Sequence, residues 1–289
     1  MEKTLDITEK KSAAFLSVIA SGALTIFKLI VGLLTGSLGI LSEALHSTLD
    51  MIAAIITYFS VRISDKPADN EHNYGHGKVE NLSAFAEAIL LAITSIWIIY
   101  ESITKLILND FNVEVTIWSY VVIISSIVID INRSRMLKKV ALKYNSQALE
   151  ADSIHFKTDI WSSCVVLVGL ILVNFNIHWA DSIAALGVAF IIILVSYRLA
   201  KNAIDVLLDK APEGVRDIII EILNNHEEVK IYHDLKTRSS GADTFIKFDL
   251  HLNPELSLLE AHSVCDKIEI EIKEKIKRSE IYIHIEPNE

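Results

Sequence analysis

The sequence predicts a membrane all-α domain of six transmembrane helices followed by a small α+β domain. Three observations predict it. Six apolar segments lie between residues 13 and 199, each near the ~20 residues that carry a helix across a bilayer. Hydrophobic residues make up 51% of the chain and are blocked in those segments rather than spread evenly. From Asp209 onward the pattern changes to short amphipathic and alternating runs. The expected division is a six-span domain over residues 1–208 and a soluble domain over 209–289.

The first segment, about Ala13 to Leu34, carries one charge, Lys28. The second, about Leu38 to Val61, holds Glu43, His46 and Asp50, and the third, about Leu82 to Ile103, holds Glu87. The fourth covers about Val115 to Ile131 and ends at Asp130, near a boundary where burying a charge costs little. The fifth begins near Ala148 and holds His155 and Asp159 before the apolar run Ile160 to Val173. The sixth is about Trp179 to Leu199. Polar groups make the second and fifth poor spans by hydropathy alone, as expected of a helix pair that lines a polar site.

Basic residues set the orientation. Lys3, Lys10 and Lys11 precede the first segment; Arg62, Lys66 and Lys78 lie between the second and third. Arg133, Arg135, Lys138, Lys139 and Lys143 fall between the fourth and fifth, and Arg198 and Lys201 end the sixth. The opposite loops offer only Lys105, with Trp118 and Trp179 placed as an aromatic belt. Both termini are therefore expected in the cytosol, and residues 1–11, without a signal-peptide pattern, read as a cytosolic lead-in. A formal net charge of −10 points away from a nucleic-acid partner. Two cysteines, Cys164 and Cys265, exclude a disulfide framework and a Cys-rich zinc motif.

In the tail, Glu213 to His226 reads as an amphipathic helix with Pro212 at its start. Val229 to Ser239 and Thr244 to Leu252 read as strands joined by a turn at Gly241. Leu258 to Ile276 reads as a second helix and Ile281 to Ile285 as a last strand. The order αββαβ implies helices on one face of a sheet.

The chemistry-bearing residues recur in pairs. His46-Ser-Thr-Leu-Asp50 has a twin in His155-Phe-Lys-Thr-Asp159. Positions four apart lie nearly above one another on a helix, so each segment offers an imidazole and a carboxylate on one face. Two such helices side by side supply two nitrogens and two oxygens, a tetrahedral shell for a zinc-sized dication. Ionisable groups at membrane depth are costly and mark function. In the loop between the second and third segments, Asp69, His72 and His76 form a second three-ligand candidate, against a polar loop whose histidines face water. In the tail, His233, Asp249, His262, His284 and Glu286 form a third, against a solvated sheet face, to which His251 is assigned. Lys28 pairs with an intramembrane acid or snorkels outward, and Glu43 and Glu87 are pathway or structural acids.

With these motifs in view, the chain resembles the cation diffusion facilitator family of metal/proton antiporters over nearly its whole length. The resemblance is carried by Gly36-Ser-Leu-Gly-Ile-Leu-Ser-Glu-Ala-Leu-His46 leading to Asp50, by Tyr74-Gly-His-Gly-Lys-Val-Glu80, and by His155 to Asp159. It implies a transport site at His46, Asp50, His155 and Asp159, and a loop site at Asp69, His72 and His76. It implies a metallochaperone-like tail whose metal site maps onto His233, His262 and His284 with Asp249 and Glu286, where some relatives carry histidine and aspartate. Lys78 and Asp209 match an interprotomer charge interlock in relatives. The His/Asp pairs resemble the zinc-exporting branch.

The resulting expectation is a homodimer in the plasma (inner) membrane that moves Zn2+ out of the cytosol in exchange for protons, with Zn2+ also a structural ion in the tail. Imidazole titrates near the cytosolic pH, and metal binding must displace its proton. An intramembrane zinc hydrolase would need an open ligand position and a general base as in HExxH; neither His46 nor His155 is followed by Glu. A metal sensor or scaffold of the same fold is the remaining alternative, separated from a transporter by a flux assay.

Overall fold

The computed structural model describes residues 2–36, 38–108, 116–173 and 179–288. Six long helices come first: α1 (Glu2–Thr35), α2 (Leu38–Ser64), α3 (Lys78–Leu108), α4 (Ile117–Tyr144), α5 (Gln147–Val173) and α6 (Trp179–Leu207). Each contains a stretch long and apolar enough to cross a membrane. The start of the fourth expected segment, Val115, and Ser37 of the long glycine-led motif lie outside the described residues.

The helices overrun the apolar segments. α1 begins at Glu2, so Lys10 is helical rather than part of a lead-in. α4 continues to Tyr144, which puts Arg133, Arg135, Lys138, Lys139 and Lys143 on a helix and not in a loop. No glycine or proline interrupts residues 117–144, and the helix stops at Asn145, whose backbone is left-handed at φ 50°. Asn145 and Ser146 are the whole link before α5.

α1 packs along α2 and α4 along α5, and contacts of α1 with α4 and of α2 with α5 close a four-helix bundle. Its core at one end joins Ala13, Ala14, Val61, Leu137, Val140, Leu149 and Phe156. A separate cluster of Ala84, Ala88 and Leu91 with Ala151, Ile192, Leu199 and Ala203 holds α3, α5 and α6 together. Small residues there let helix backbones approach closely.

The bundle buries charge in places the sequence reading had left at its edges. Asp130 is 5% exposed and lies 3.2 Å from Arg133 Nη1. Arg133 Nη2 donates to Ser17 and Ser21, and the guanidinium sits 3.5 Å over the Phe156 ring. Lys28 resolves toward pairing: its Nζ is 3.0 Å from Glu43 Oε2. Lys10 Nζ lies 3.0 Å from Asp65 Oδ1 and 2.8 Å from Glu80 Oε1.

Residues 67–78 and 204–289 form a second compact unit. It contains α7 (Val215–Asn225), β1 (Ile231–Ser240), β2 (Asp243–Leu252), α8 (Leu258–Lys275) and β3 (Ser279–Pro287). The sheet order is β1-β2-β3, with β2 antiparallel to β1 and parallel to β3. Ile246, Phe248, Leu250 and Leu252 alternate onto one face of β2 and pack with Ile219, Ile222 and Leu223 of α7 and with Val264, Ile268 and Ile272 of α8. Full burial of such side chains contributes about 1.5–3 kcal/mol each. α8 starts at a reciprocal cap between Ser257 and Glu260, worth about 1 kcal/mol.

The segment 67–78, placed with the helices by sequence order, packs instead on the turn between β1 and β2. A Cβ added to Gly77 would stand 2.3 Å from the Ser240 carbonyl oxygen, so only glycine permits this approach. Tyr74 meets Phe245 edge-on at 5.3 Å, with the Arg238 guanidinium 4.2 Å over the Tyr74 ring.

Candidate metal centres

The first centre lies where α2 and α5 face each other. Helical periodicity puts His46 and Asp50 one turn apart on α2, and His155 and Asp159 one turn apart on α5. His155 Nε2 is 3.2 Å from Asp50 Oδ1 and 3.6 Å from Asp159 Oδ2. His46 Nε2 is 3.9 Å from Asp50 Oδ1 and 3.9 Å from Asp159 Oδ1. A tetrahedral shell with bonds of about 2.0–2.1 Å has edges of about 3.3 Å, so small side-chain movements suffice to close these four donors on one dication. His155 and Asp50 are buried, while His46 retains about a third of its side-chain exposure. Asp159 Oδ2 and His155 Nδ1 are buried and accept or donate no hydrogen bond. Spare donors of this kind suit an ion better than a finished structural network.

Acids that the sequence reading did not connect to this site stand close by in the bundle. Asp152, one helical turn before His155, is fully buried and accepts from Ser17 Oγ at 3.0 Å, linking it to the Arg133 cluster. Glu87 is fully buried and accepts a hydrogen bond from the Thr57 hydroxyl. Spacing to His155 was the available signal for Asp152, but the motif was read forward from the histidine only.

The second candidate comes together as a compact loop. Asp69 Oδ2 is 3.3 Å from His76 Nε2, and Asp69 Oδ1 is 3.5 Å from His72 Nδ1. The imidazole centroids are 4.4 Å apart. Backbone N–H groups of His72 and Glu71 donate to the Asp69 carboxylate at 2.7 and 3.0 Å. The His72 N–H holds its pKa below the ordinary carboxylate value. His76 Nδ1 is buried without a hydrogen-bond partner.

The third candidate forms on the sheet face opposite α7 and α8, with a different membership from the expected one. Register aligns His233 with Asp249 and Asp249 with His284 across the three strands, and His251 with Glu286 beside them. His251 Nε2 is 3.1 Å from Glu286 Oε2, His233 Nε2 is 3.3 Å from the same oxygen, and the two Nε2 atoms are 3.0 Å apart. The His251 Nδ1–H donates to the Pro287 carbonyl at 3.3 Å, which leaves its Nε2 lone pair facing the cluster. His251, set aside as solvated, is thus a central donor. His233 Nδ1 also lies 3.7 Å from Asp249 Oδ2, and His284 Nε2 lies 3.6 Å from Glu286 Oε1. His262 does not join: it is exposed on α8, beside Asp266 at 3.7 Å, because α8 packs on the other face of the sheet. The donors fit a borderline dication such as Zn2+.

Lys78 Nζ contacts Asp209 Oδ1 at 2.7 Å, and Arg238 Nη1 contacts the same oxygen at 3.5 Å. The Lys78 hydrogen bond holds the Asp209 pKa below its ordinary value. The pair expected to interlock two protomers closes here within one chain.

Comparison with known proteins gives two family matches. Residues 14–208 match the cation efflux transmembrane domain, and residues 211–288 match the cytoplasmic domain of cation efflux proteins. The cation-efflux pump FieF of Salmonella newport (strain SL254) is 33% identical over 280 residues, covering 95% of this chain and 92% of its own. Among solved structures, the metal-bound C-terminal domain of the CzcD transporter from Thermotoga maritima is 28% identical. It covers 25% of this chain and 86% of its own, with a TM-score of 0.25. The cytosolic domain of a cation diffusion facilitator family protein is 29% identical and covers 25% of this chain and 87% of its own, with a TM-score of 0.24.

Proposed function

The chain belongs to the cation diffusion facilitator family, and from that premise we propose that it carries Zn2+ out of the cytosol in exchange for protons, as a homodimer. Family membership makes it an integral membrane metal efflux transporter; the metal, the counter-ion and the assembly are our reading. The observation that supports it most is the convergence of His46, Asp50, His155 and Asp159, with donor separations of 3.2–3.9 Å. Two imidazoles and two carboxylates suit Zn2+, which accepts four mixed N/O ligands without a geometric preference of its own.

Proton exchange follows from the same donors. A site open to the cytosol binds the metal with neutral imidazoles and ionised carboxylates, so loading releases protons. Once the site faces the other side, protonation of His46 and His155 competes with the ion and ejects it. Alternating access at one fixed site is sufficient, and no covalent bond is made or broken. Both termini, residues 67–78 and residues 209–289 face the cytosol in this reading, and the membrane is the plasma (inner) membrane. Residues 1–208 transport; residues 209–289 dimerise and hold Zn2+ through His233, His251 and Glu286, with Asp249 and His284 beside them. Asp69, His72 and His76 bind the ion more loosely, as an open, exchangeable site.

The test is flux in sealed proteoliposomes with a pH gradient imposed or collapsed. Zn2+ movement should follow the gradient; flux indifferent to it would remove proton exchange, and absent Zn2+ flux beside active transport of another dication would remove zinc. His46→Asp sharpens the metal assignment. It replaces an imidazole with a third carboxylate that tolerates larger ions and more ligands, so the cadmium-to-zinc flux ratio should rise by roughly tenfold. An unchanged ratio would show that His46 does not set selectivity.

A further inference from the structure

Between the first half of α5 and the second half of α6, beside the start of α3, lies a cavity of ≈ 280 Å³. Its volume is about nine times the ~30 Å³ share of a water molecule in the liquid. Its wall is mixed: Trp161 and Val195 are apolar, while Lys157, Arg198, Asn202 and Glu150 bring charge and polarity. Lys157 and Arg198 are exposed, and among the described residues neither is within 4.0 Å of a carboxylate; Lys157 meets only the Trp161 ring, at 5.6 Å. Two cations buried in the four-helix bundle, Lys28 and Arg133, are by contrast paired, with Glu43 and Asp130.

Depth narrows the occupant. Trp179 opens α6 and Arg198 stands 19 positions later, a rise of about 28 Å. The hydrocarbon core of a bilayer is about 30 Å thick, so a span entered at Trp179 is left at Arg198. The Arg198–Asn202 end of the cavity is therefore at headgroup level in one leaflet, and its wall runs inward past Lys157 to Trp161 and Val195, toward the acyl region. Basic pockets between transmembrane helices at this level recognise anionic headgroups.

We propose that this cavity binds the phosphate headgroup of an anionic phospholipid, with Lys157 and Arg198 as its counter-ions, Asn202 as a neutral donor and Trp161 against the glycerol and upper acyl chain. Glu150 lines the same cavity and opposes the phosphate, which limits affinity and makes its removal informative. The site is separate from His155 and Asp159: Lys157 lies between them in sequence but projects to the α6 side of α5.

Native mass spectrometry of the full-length protein, titrated with phosphatidylglycerol or phosphatidylcholine, tests this. The parent should bind phosphatidylglycerol in preference. Lys157→Gln combined with Arg198→Gln should weaken that binding by roughly 30-fold, about fivefold for each cation lost. Glu150→Gln should strengthen it by about fivefold, a gain that misfolding cannot mimic. Equal affinity in the parent and the double variant, or equal binding of the two lipids by the parent, would overturn the proposal. Inorganic phosphate bound as tightly as phosphatidylglycerol would overturn it in favour of a free anion. Dissociation of the dimer by the double variant with lipid affinity unchanged would assign the face to a second copy.

Discussion

Two clusters of buried charge share the helical bundle and are finished to different degrees. Lys10, Asp65 and Glu80 tie the start of α1 to the end of α2 and the start of α3. Glu80 accepts from Lys10 and Ser64 on one oxygen, at 2.8 and 2.9 Å, and from the Ser146 hydroxyl on the other. The Lys10 ammonium sits at its centre between two carboxylates, so the cluster has its own cation, although Asp65 Oδ2 is left buried without a hydrogen-bond partner. At His46, Asp50, His155 and Asp159 no lysine or arginine is ion-paired to either carboxylate among the described residues, and buried donors are left over. The difference teaches what would separate a binding site from a structural ionic knot in the same low-dielectric surroundings: the proposed site holds titratable donors and lacks a fixed cation.

That contrast breaks first at Asp159. Asp159→Ala should reduce Zn2+ flux by more than about 100-fold while leaving the protein folded, since it removes a ligand and breaks no completed network. Near-normal flux, measured in proteoliposomes at matched protein, would end the transport-site assignment. Glu80→Ala should act in the opposite sense. It strips Lys10 of one of its two carboxylates and should cost about 3–5 kcal/mol of stability, while metal affinity in the protein that remains folded is unchanged. Thermal unfolding in micelles beside zinc titration separates the two effects; a large loss of zinc affinity in Glu80→Ala would join the two clusters into one site.

The smallest effect concerns an exposed pair outside the spans. Asp209 has a depressed pKa because Lys78 donates to it, so its contribution is present above the unfolded value of 3.8 and lost as pH falls through the lower folded value. Solvent screening limits that contribution to about 0.5 kcal/mol, and Asp209→Asn, which keeps the left-handed backbone at φ 59° accessible, should remove it. Parent and variant should differ by a constant amount between pH 7 and pH 5 and converge below the unfolded value. A difference that grows on acidification would contradict the sign of the shift.

Legibility in the sequence followed periodicity. Helical spacing was enough to pair His46 with Asp50 and His155 with Asp159, and strand alternation was enough to put Phe248 and Leu250 in the tail core. It failed where the answer depended on which element lies beside which. His251 was set aside because alternation shows only that it shares a face with Asp249; its contact with Glu286 comes from the β2–β3 register. His262 was grouped with the strand residues as a donor from the second helix, whereas α8 packs on the opposite face of the sheet. Arg133 and Lys10 were read as flanking charges because a hydropathy segment ends where polarity begins, and a helix ends only where its backbone is stopped.

The two-residue link at Asn145 and Ser146 has a mechanical consequence. With so little chain between them, α4 and α5 are tied together at one end, eight positions before His155. That lever arm is about 12 Å, so a tilt of about 10° carries the imidazole about 2 Å. A displacement of that size equals a whole metal–ligand bond of about 2.0–2.1 Å. Tilting the α4–α5 pair by that much about its linked end, away from the α1–α2 pair, would therefore be enough to dismantle the proposed shell by leverage, with every helix still intact.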